Sequence, residues 1–228
     1  MTMNLPASHL ECIELQTRET PQASIIWLHG LGADGHDFVP LVRELDLHGV
    51  LPLRFVFPHA PVIPVTINNG YQMRAWYDIR TPDFISREDE AGVRTSQHAI
   101  EQLIERENAR GIPCERIVLA GFSQGGAITL QTGLRYPQRL AGLLALSTYL
   151  PLLDSTAKER APANLDVPIF MAHGTQDAIV PYPRGILSKE HLTTLGYAVQ
   201  WQEYPMQHSV CADEVADIAH WLRTVLPQ

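Results

Sequence analysis

The stretch RIVLAGFSQGGAI, residues 116–128, sets Ser123 between Gly121 and Gly125, with Gly126 beside the second glycine. A continuous apolar run precedes the serine and reads as a strand buried on both faces. A helix follows, starting near Gln124 and ending near Tyr136-Pro137. A serine at so tight a strand-to-helix turn sits in a strained backbone conformation, and glycines two residues to either side let the neighbouring backbones approach without a clash. Its hydroxyl then stands clear at the edge of the sheet, at a helix N-terminus that favours developing negative charge. The competing reading is a glycine-rich turn that serves packing alone, and the rest of the chain decides between the two.

Working outward, SIIWL (24–28), RFVF (54–57), GLLALS (142–147), PIFMAHG (168–174) and AVQWQEY (198–204) read as further strands. Helices are expected over about 90–110, 183–195 and 211–226. Residues 10–16 alternate weakly, as an edge strand does. Asp34 is placed to cap a helix through Phe38, Leu41, Val42 and Leu45, at spacings of three and four. Strands alternating with helices predict an α/β fold, a mainly parallel central sheet with helices on both faces, as a single domain over 1–228. Residues 58–90 interrupt the pattern with Pro58, Pro61, Pro64 and Pro82, a turn at Asn69-Gly70, and RAWYDI at 74–79. So long an excursion in a compact domain usually has a function.

Ligand sites in such sheets lie beyond the carboxyl ends of the strands. HGLGADG (29–35), GFSQGG (121–126), HGTQDAIVP (173–181) and PMQHSV (205–210) all fall at that edge. A serine needs a base and an orienting acid to become a nucleophile, in the chain order serine, acid, histidine for this architecture. His191 and His220 fall in expected helices, and His173 ends a strand and shapes a turn. His208, between the last strand and the last helix, can reach over the strand edge. Asp154 and Asp166 lie in an irregular segment, and Asp213 and Asp217 in the last helix. Asp177, four residues past a strand end, is on the right edge and in the right order to hold the His208 tautomer. The two oxyanion donors expected are the N–H of Gln124, after the nucleophile, and that of Leu31, in the glycine-rich loop after an early strand. GLGADG also matches a dinucleotide-binding G-x-G-x-x-G, but the acidic residue such a site needs about 20 residues later is missing, since RFVFPHA stands there.

Composition narrows the partners. The chain has 228 residues, is 45% hydrophobic and carries a net charge of −8, which offers no basic footprint for nucleic acid. Three dispersed cysteines, Cys12, Cys114 and Cys211, give neither a disulfide framework nor a zinc pattern. Free thiols, no signal-peptide pattern and no run of 18 apolar residues predict a cytoplasmic protein without integral membrane association. No metal or cofactor is called for by these residues.

With those residues in place, the chain resembles the phospholipase/carboxylesterase family of α/β-hydrolases, which includes the acyl-protein thioesterases and small bacterial carboxylesterases. WLHGLGADGHDF, FPHAP, RAWYDI, GFSQGGAITL, HGTQDAIVP and PMQHSV carry the resemblance, in order, across residues 27–209. It implies Ser123 as nucleophile, Asp177 as acid, His208 as base, and Leu31 and Gln124 as oxyanion donors. It also implies hydrolysis of esters or thioesters of medium to long acyl chains, on small-molecule or lipid-like substrates or S-acylated proteins, and a homodimer as in small bacterial members. Acyl-protein thioesterase or lysophospholipase activity as the main physiological role is the alternative within that class. Val65, Ile67, Trp76, Phe84, Tyr149, Leu150, Leu152 and Val180 are the loop candidates for an acyl-binding surface. A peptidase of the same fold lacks a gating domain here, and a non-catalytic binding module would normally have lost a triad member.

Overall fold

The computed structural model describes residues 10–81, 83 and 86–227. Among them the central sheet has seven strands in the order β1-β3-β2-β6-β7-β8-β9. In chain order these are β1 (Cys12–Gln16), β2 (Ala23–Leu28), β3 (Leu53–Pro58), β6 (Ile117–Phe122), β7 (Gly142–Leu146), β8 (Ile169–Gly174) and β9 (Val199–Tyr204), while β4 (Val62–Val65) and β5 (Tyr71–Arg74) form a separate hairpin. β1 runs antiparallel to β3 at one edge, and every other pair in the large sheet is parallel. The helices are α1 (Glu90–Ala109), α2 (Gln124–Arg135), α3 (Leu153–Glu159), α4 (Tyr182–Thr194) and α5 (Ala212–Val225).

The sheet is buried on both faces because each central strand is apolar at both parities. Ile26 and Leu28 of β2, Ile117 and Leu119 of β6, and Ile169 and Met171 of β8 join one core with α1, α2 and Leu192 of α4. Their alternates, Ile25 and Trp27, Val118 and Ala120, Phe170 and Ala172, join a second core with Val215, Ile218 and Leu222 of α5. Period-two alternation thus divides each strand between two layers of helix.

Two expectations are corrected. The helix read from Asp34 to Leu45 is only a 3-10 turn at Pro40–Arg43. Pro40 has no N–H to give and its ring crowds the carbonyl four residues back, so a helix cannot run through it. Asp34 instead accepts the His36 N–H at 2.8 Å, a local turn. The segment around Asp154, expected to be irregular, holds the short helix α3.

The chain passes from β2 outward to β3 and returns past β2 to β6, so the strand order reverses beside β2. The crevice beyond the carboxyl ends of β2 and β6 is therefore the place where a ligand site is expected. The loop after β2 and the turn from β6 into α2 both open there.

One buried acid makes the fold pH-sensitive. Glu214 in α5 is fully buried, and neither carboxyl oxygen has a hydrogen-bond partner among the described residues. Burial pushes its pKa up to about 8, with the nearby Cys211 N–H offsetting part of the rise. The unfolded chain titrates this acid near 4.5, so its contribution to stability is complete below that pH, falls as pH rises and levels off above about 8. Glu214→Gln is expected to leave the thermal midpoint at pH 4.5 unchanged and to raise it at pH 8 by roughly 5–10 °C, for a gain of about 2–4 kcal/mol. Calorimetry at the two pH values checks this. Equal shifts at both would mean that the carboxylate is accommodated in the fold.

Candidate active site

Ser123 occupies the turn between β6 and α2 with φ +55 and ψ −121, a conformation costly for a residue with a side chain. The turn is over-determined by its surroundings. The Ser123 N–H donates to Leu146 O at 2.9 Å, and Ser123 O accepts the Ala127 N–H at 3.1 Å and the Thr148 hydroxyl at 2.6 Å. A Cβ on Gly121 would lie 2.4 Å from the Gly125 carbonyl oxygen, and a Cβ on Gly125 would lie 2.3 Å from Leu28 O and 2.6 Å from His29 O. Only glycine lets α2 start this close to the end of β2.

His208, in the loop between β9 and α5, faces the same turn. Its ring packs against that of Phe122, the residue before Ser123, with centroids 4.7 Å apart. His208 Nδ1 donates to Asp177 Oδ2 at 2.6 Å. The Asp177 side chain is completely buried, and its other oxygen accepts the N–H groups of Ile179 and Val180, each at 2.9 Å. Burial works to raise the Asp177 pKa, but the His208 bond and charge and those two amides outweigh it and hold the carboxyl below its ordinary value. The carboxylate fixes the proton on Nδ1 and leaves Nε2 with its lone pair in the neutral ring. Among the described residues no hydrogen bond joins the Ser123 hydroxyl to His208, a looseness common where no substrate is bound.

Leu31 and Gln124 lie where the two loops meet. Gln124 is the first residue of α2, and intrahelical bonding begins only at Ala127, so its N–H is one of the helix's unused donors. The Leu31 N–H makes no hydrogen bond among the described residues, while its neighbour Gly32 donates to Arg74 O at 2.9 Å.

Ser123 and Gln124 open into a cavity of about 430 Å³. Its walls include Ile67, Tyr149 and Val180 from the expected acyl surface. The other described members of that set do not line it. Val65 is wholly buried in the core, and Trp76, Leu150 and Leu152 are at most 9% exposed and do not line the cavity. Hydrogen bonds from the last three hold them in place. Leu150 N–H donates to Ser188 Oγ at 2.8 Å, Leu152 N–H to Glu88 Oε1 at 2.9 Å, and the Trp76 indole to His29 O at 2.8 Å, which anchors each loop with its apolar side chain inward. Phe84 lies outside the described residues. The lining residues that sequence reasoning passed over include Tyr77, Ile79, Ala178, Ile179 and Pro181. The last three follow Asp177 directly, so the signal was the turn AIVP itself; Tyr77 and Ile79 lie in the bend and irregular stretch after β5, where no periodic pattern marks a lining residue.

His173 is structural, as expected, yet close to the acid. Its Nε2 donates to Val180 O at 2.8 Å and lies 3.5 Å from Asp177 Oδ2. Burial lowers its pKa, so the ring stays neutral beside the pair. Asp154 and Asp166 sit away from this cluster, in α3 and against Arg139 respectively.

A parallel sheet with this reversal of strand order, and a strained serine at the β6–α2 turn, is the α/β-hydrolase fold. The chain belongs to the phospholipase/carboxylesterase family, whose model matches residues 10–226, and it is an ester hydrolase. It is 43% identical to acyl-protein thioesterase 1 of Neurospora crassa over 216 residues, 90% of this chain and 88% of that one. Acyl-protein thioesterase 1 of Cryptococcus neoformans is 36% identical, over 97% of this chain and all of its own. Among solved structures, Arabidopsis thaliana SOBER1 superposes with a TM-score of 0.84 at 32% identity, covering 89% of this chain and 98% of that one. Zea mays acyl-protein thioesterase 2 gives 0.82 at 25%, covering 94% and 98%. No helix among the described residues is long and apolar enough to cross a membrane.

The contact between α2 and β2 gives a direct test. Gly125→Ala forces a methyl group into two backbone carbonyls that have nowhere to go. The variant is expected to lose about 3 kcal/mol of stability, the upper end of the usual cost of overpacking, because the atoms it meets are backbone, and to express mainly as insoluble protein. Gly70→Ala, at an exposed turn with open space around it but φ +75, should cost only about 1 kcal/mol. Equal melting temperatures for wild type and Gly125→Ala would show that the turn relaxes freely.

Proposed function

We propose that the protein hydrolyses esters or thioesters of medium to long acyl chains through a covalent acyl-enzyme on Ser123. The observation that carries the reading is the buried Asp177 bonded to His208, whose ring packs on Phe122 beside a strained serine that opens into an apolar-walled cavity. His208 Nε2 takes the proton from Ser123 Oγ as that oxygen attacks the acyl carbonyl. The N–H groups of Leu31 and Gln124 stabilise the resulting oxyanion. The tetrahedral adduct collapses, the bond to the leaving alcohol or thiol breaks, and His208 returns the proton to that leaving group. Water then attacks the acyl-serine, giving its proton to His208, and the carboxylic acid departs as Ser123 regains its hydrogen. Asp177 stabilises the imidazolium in both halves without being protonated itself.

The relatives named acyl-protein thioesterase 1 support thioesters among the substrates, and acylated proteins or lipid-like acyl esters as their carriers. A cavity of this volume falls within the roughly 300–1,000 Å³ of small-molecule sites. Its apolar walls suit a hydrocarbon tail rather than a charged one.

Ser123→Ala should abolish turnover and labelling by a fluorophosphonate, a loss on the order of 10⁶ in kcat. Asp177→Asn should lower kcat by about 10⁴, whereas Asp154→Asn and Asp166→Asn should change it little. A mild Asp177→Asn beside a crippled Asp166→Asn would move the acid elsewhere.

Chain length is tested with p-nitrophenyl esters from acetate to palmitate, below micelle-forming concentrations. The expected kcat/KM rises with each of the first several carbons, by up to roughly fourfold per methylene, since each buried CH₂ contributes about 0.8 kcal/mol at most. Ile67→Ser, at an exposed position of the cavity wall, should flatten that rise without changing the rate on acetate by more than about threefold. A fall from acetate onward would instead indicate a short-chain esterase.

A further inference from the structure

The segment 74–77 ties together the two elements that meet at Ser123. The Trp76 indole Nε1 donates to His29 O at 2.8 Å, and Gly32 N–H donates to Arg74 O at 2.9 Å. Gly30 and Leu31 are thus held at both ends by the excursion. On the other side, the Trp76 backbone N–H donates to Gln124 Oε1 at 2.8 Å, and Gln124 Nε2 donates to Tyr77 O at 2.7 Å. The side-chain amide of Gln124 therefore pairs with the segment as a neighbouring strand would. Ser96 in α1 donates its hydroxyl to Trp76 O and fixes the segment from behind. Trp76 and Gln124 are each 2% exposed, so water cannot take over any of these bonds without opening the core. His29 itself is locked, with Nδ1 donating to Gly30 O at 2.7 Å and Nε2 accepting the Ala60 N–H at 3.0 Å. That pattern requires a neutral ring, and burial lowers the His29 pKa to about 4.

We propose that Trp76 is a positioning residue for the oxyanion site: through its indole N–H to His29 and its pairing with the Gln124 side chain, it holds the Leu31 and Gln124 amides at the mutual spacing a tetrahedral oxyanion requires. The proposal rests on the serine-hydrolase reading above. The two amides belong to different elements, the loop after β2 and the first turn of α2. Two donors must be held within about 0.5 Å of the productive geometry, and a misplacement of about 1 Å costs on the order of 100-fold. The loss falls on the transition state, where the negative charge is concentrated, and so on kcat rather than on KM.

Trp76→Phe keeps an aromatic ring against His29 but removes the indole N–H. Gln124→Met removes both side-chain bonds and keeps the backbone amide. Each is expected to lower kcat on a medium-chain p-nitrophenyl ester by about ten- to 100-fold, with KM within about threefold of wild type. Affinity for a trifluoromethyl ketone of the same chain length, which forms a tetrahedral adduct, should fall by a similar factor. Inhibition by the corresponding fatty acid should be unchanged, and fluorophosphonate labelling should still reach completion. Thermal midpoints show whether each variant folds, and if Trp76→Phe does not, Gln124→Met carries the test. Wild-type kcat and ketone affinity in a folded variant would overturn the proposal. So would equal losses in ketone and fatty acid binding, which would mean that Trp76 only supports the cavity wall. Failure of the underlying reading looks different: wild-type protein would resist fluorophosphonate labelling, or Ser123→Ala would retain activity.

Discussion

Everything in the site depends on one backbone approach, that of α2 to the end of β2. The Leu28 and His29 carbonyls stand where a Cβ of residue 125 would be, and the Gly125 carbonyl stands where a Cβ of residue 121 would be. This contact lets the chain reverse within one residue, and that residue, Ser123, takes the left-handed strain. The strain is offset around it by the bonds from Leu146, Ala127 and Thr148 to its backbone, not by its own side chain. The hydroxyl is thereby left without a structural duty. The same approach sets the first turn of α2, with its unused N–H groups and positive dipole end, directly beside the loop after β2. A wider turn would free the serine backbone and separate the two loops at once.

The acid is placed by a different means. Asp177 is removed from water, yet its carboxyl is kept below its usual pKa by donors on both oxygens, one from His208 and two from the backbone of its own turn. Two of the three are amides of residues 179 and 180, which cannot rotate away while His173 holds Val180 O. The His208 bond and charge lower the carboxyl most and the two amides add to that, so the buried carboxylate stays charged opposite the one partner that can become positive, the His208 ring.

The parts legible in the sequence are those fixed by local pattern. The central strands could be read because they are apolar at both parities, which only a sheet covered on both faces requires. The arrangement of Ser123, Asp177 and His208 could be read because chain order and strand ends place all three loops at one edge, and the structure gathers them there. What could not be read depends on pairings between distant residues. Gln124 meets Trp76 across 48 positions, Ser188 meets Leu150 across 38, and Glu88 meets Leu152 across 64. All of these side chains are buried in one core, and those bonds bear on which of them also reach the cavity: Tyr77 and Ile79 line it, while Trp76, Leu150 and Leu152 do not. Apolarity alone could not separate the two groups. The helix expected at 34–45 is a lesser case: Phe38, Leu41 and Leu45 have helical spacing, but Pro40 between them stops a helix from running through.

The acid turn also forms part of the cavity wall. Ala178, Ile179, Val180 and Pro181 line the space beyond Ser123, while the amides of Ile179 and Val180 hold the Asp177 carboxylate. On the proposed reading, a hydrocarbon chain that packs against Val180 presses on the peptide that orients the acid, and through it His208. The opposite wall has the same double use: Tyr77 faces the cavity, while its carbonyl accepts from the amide of Gln124. Contacts with the remote part of a substrate are therefore made to the same short segments that fix the base and the oxyanion donors. Binding energy from the tail can be realised as placement of the reacting carbonyl through the substrate itself, and segments shared between wall and catalytic groups add a second route through the protein.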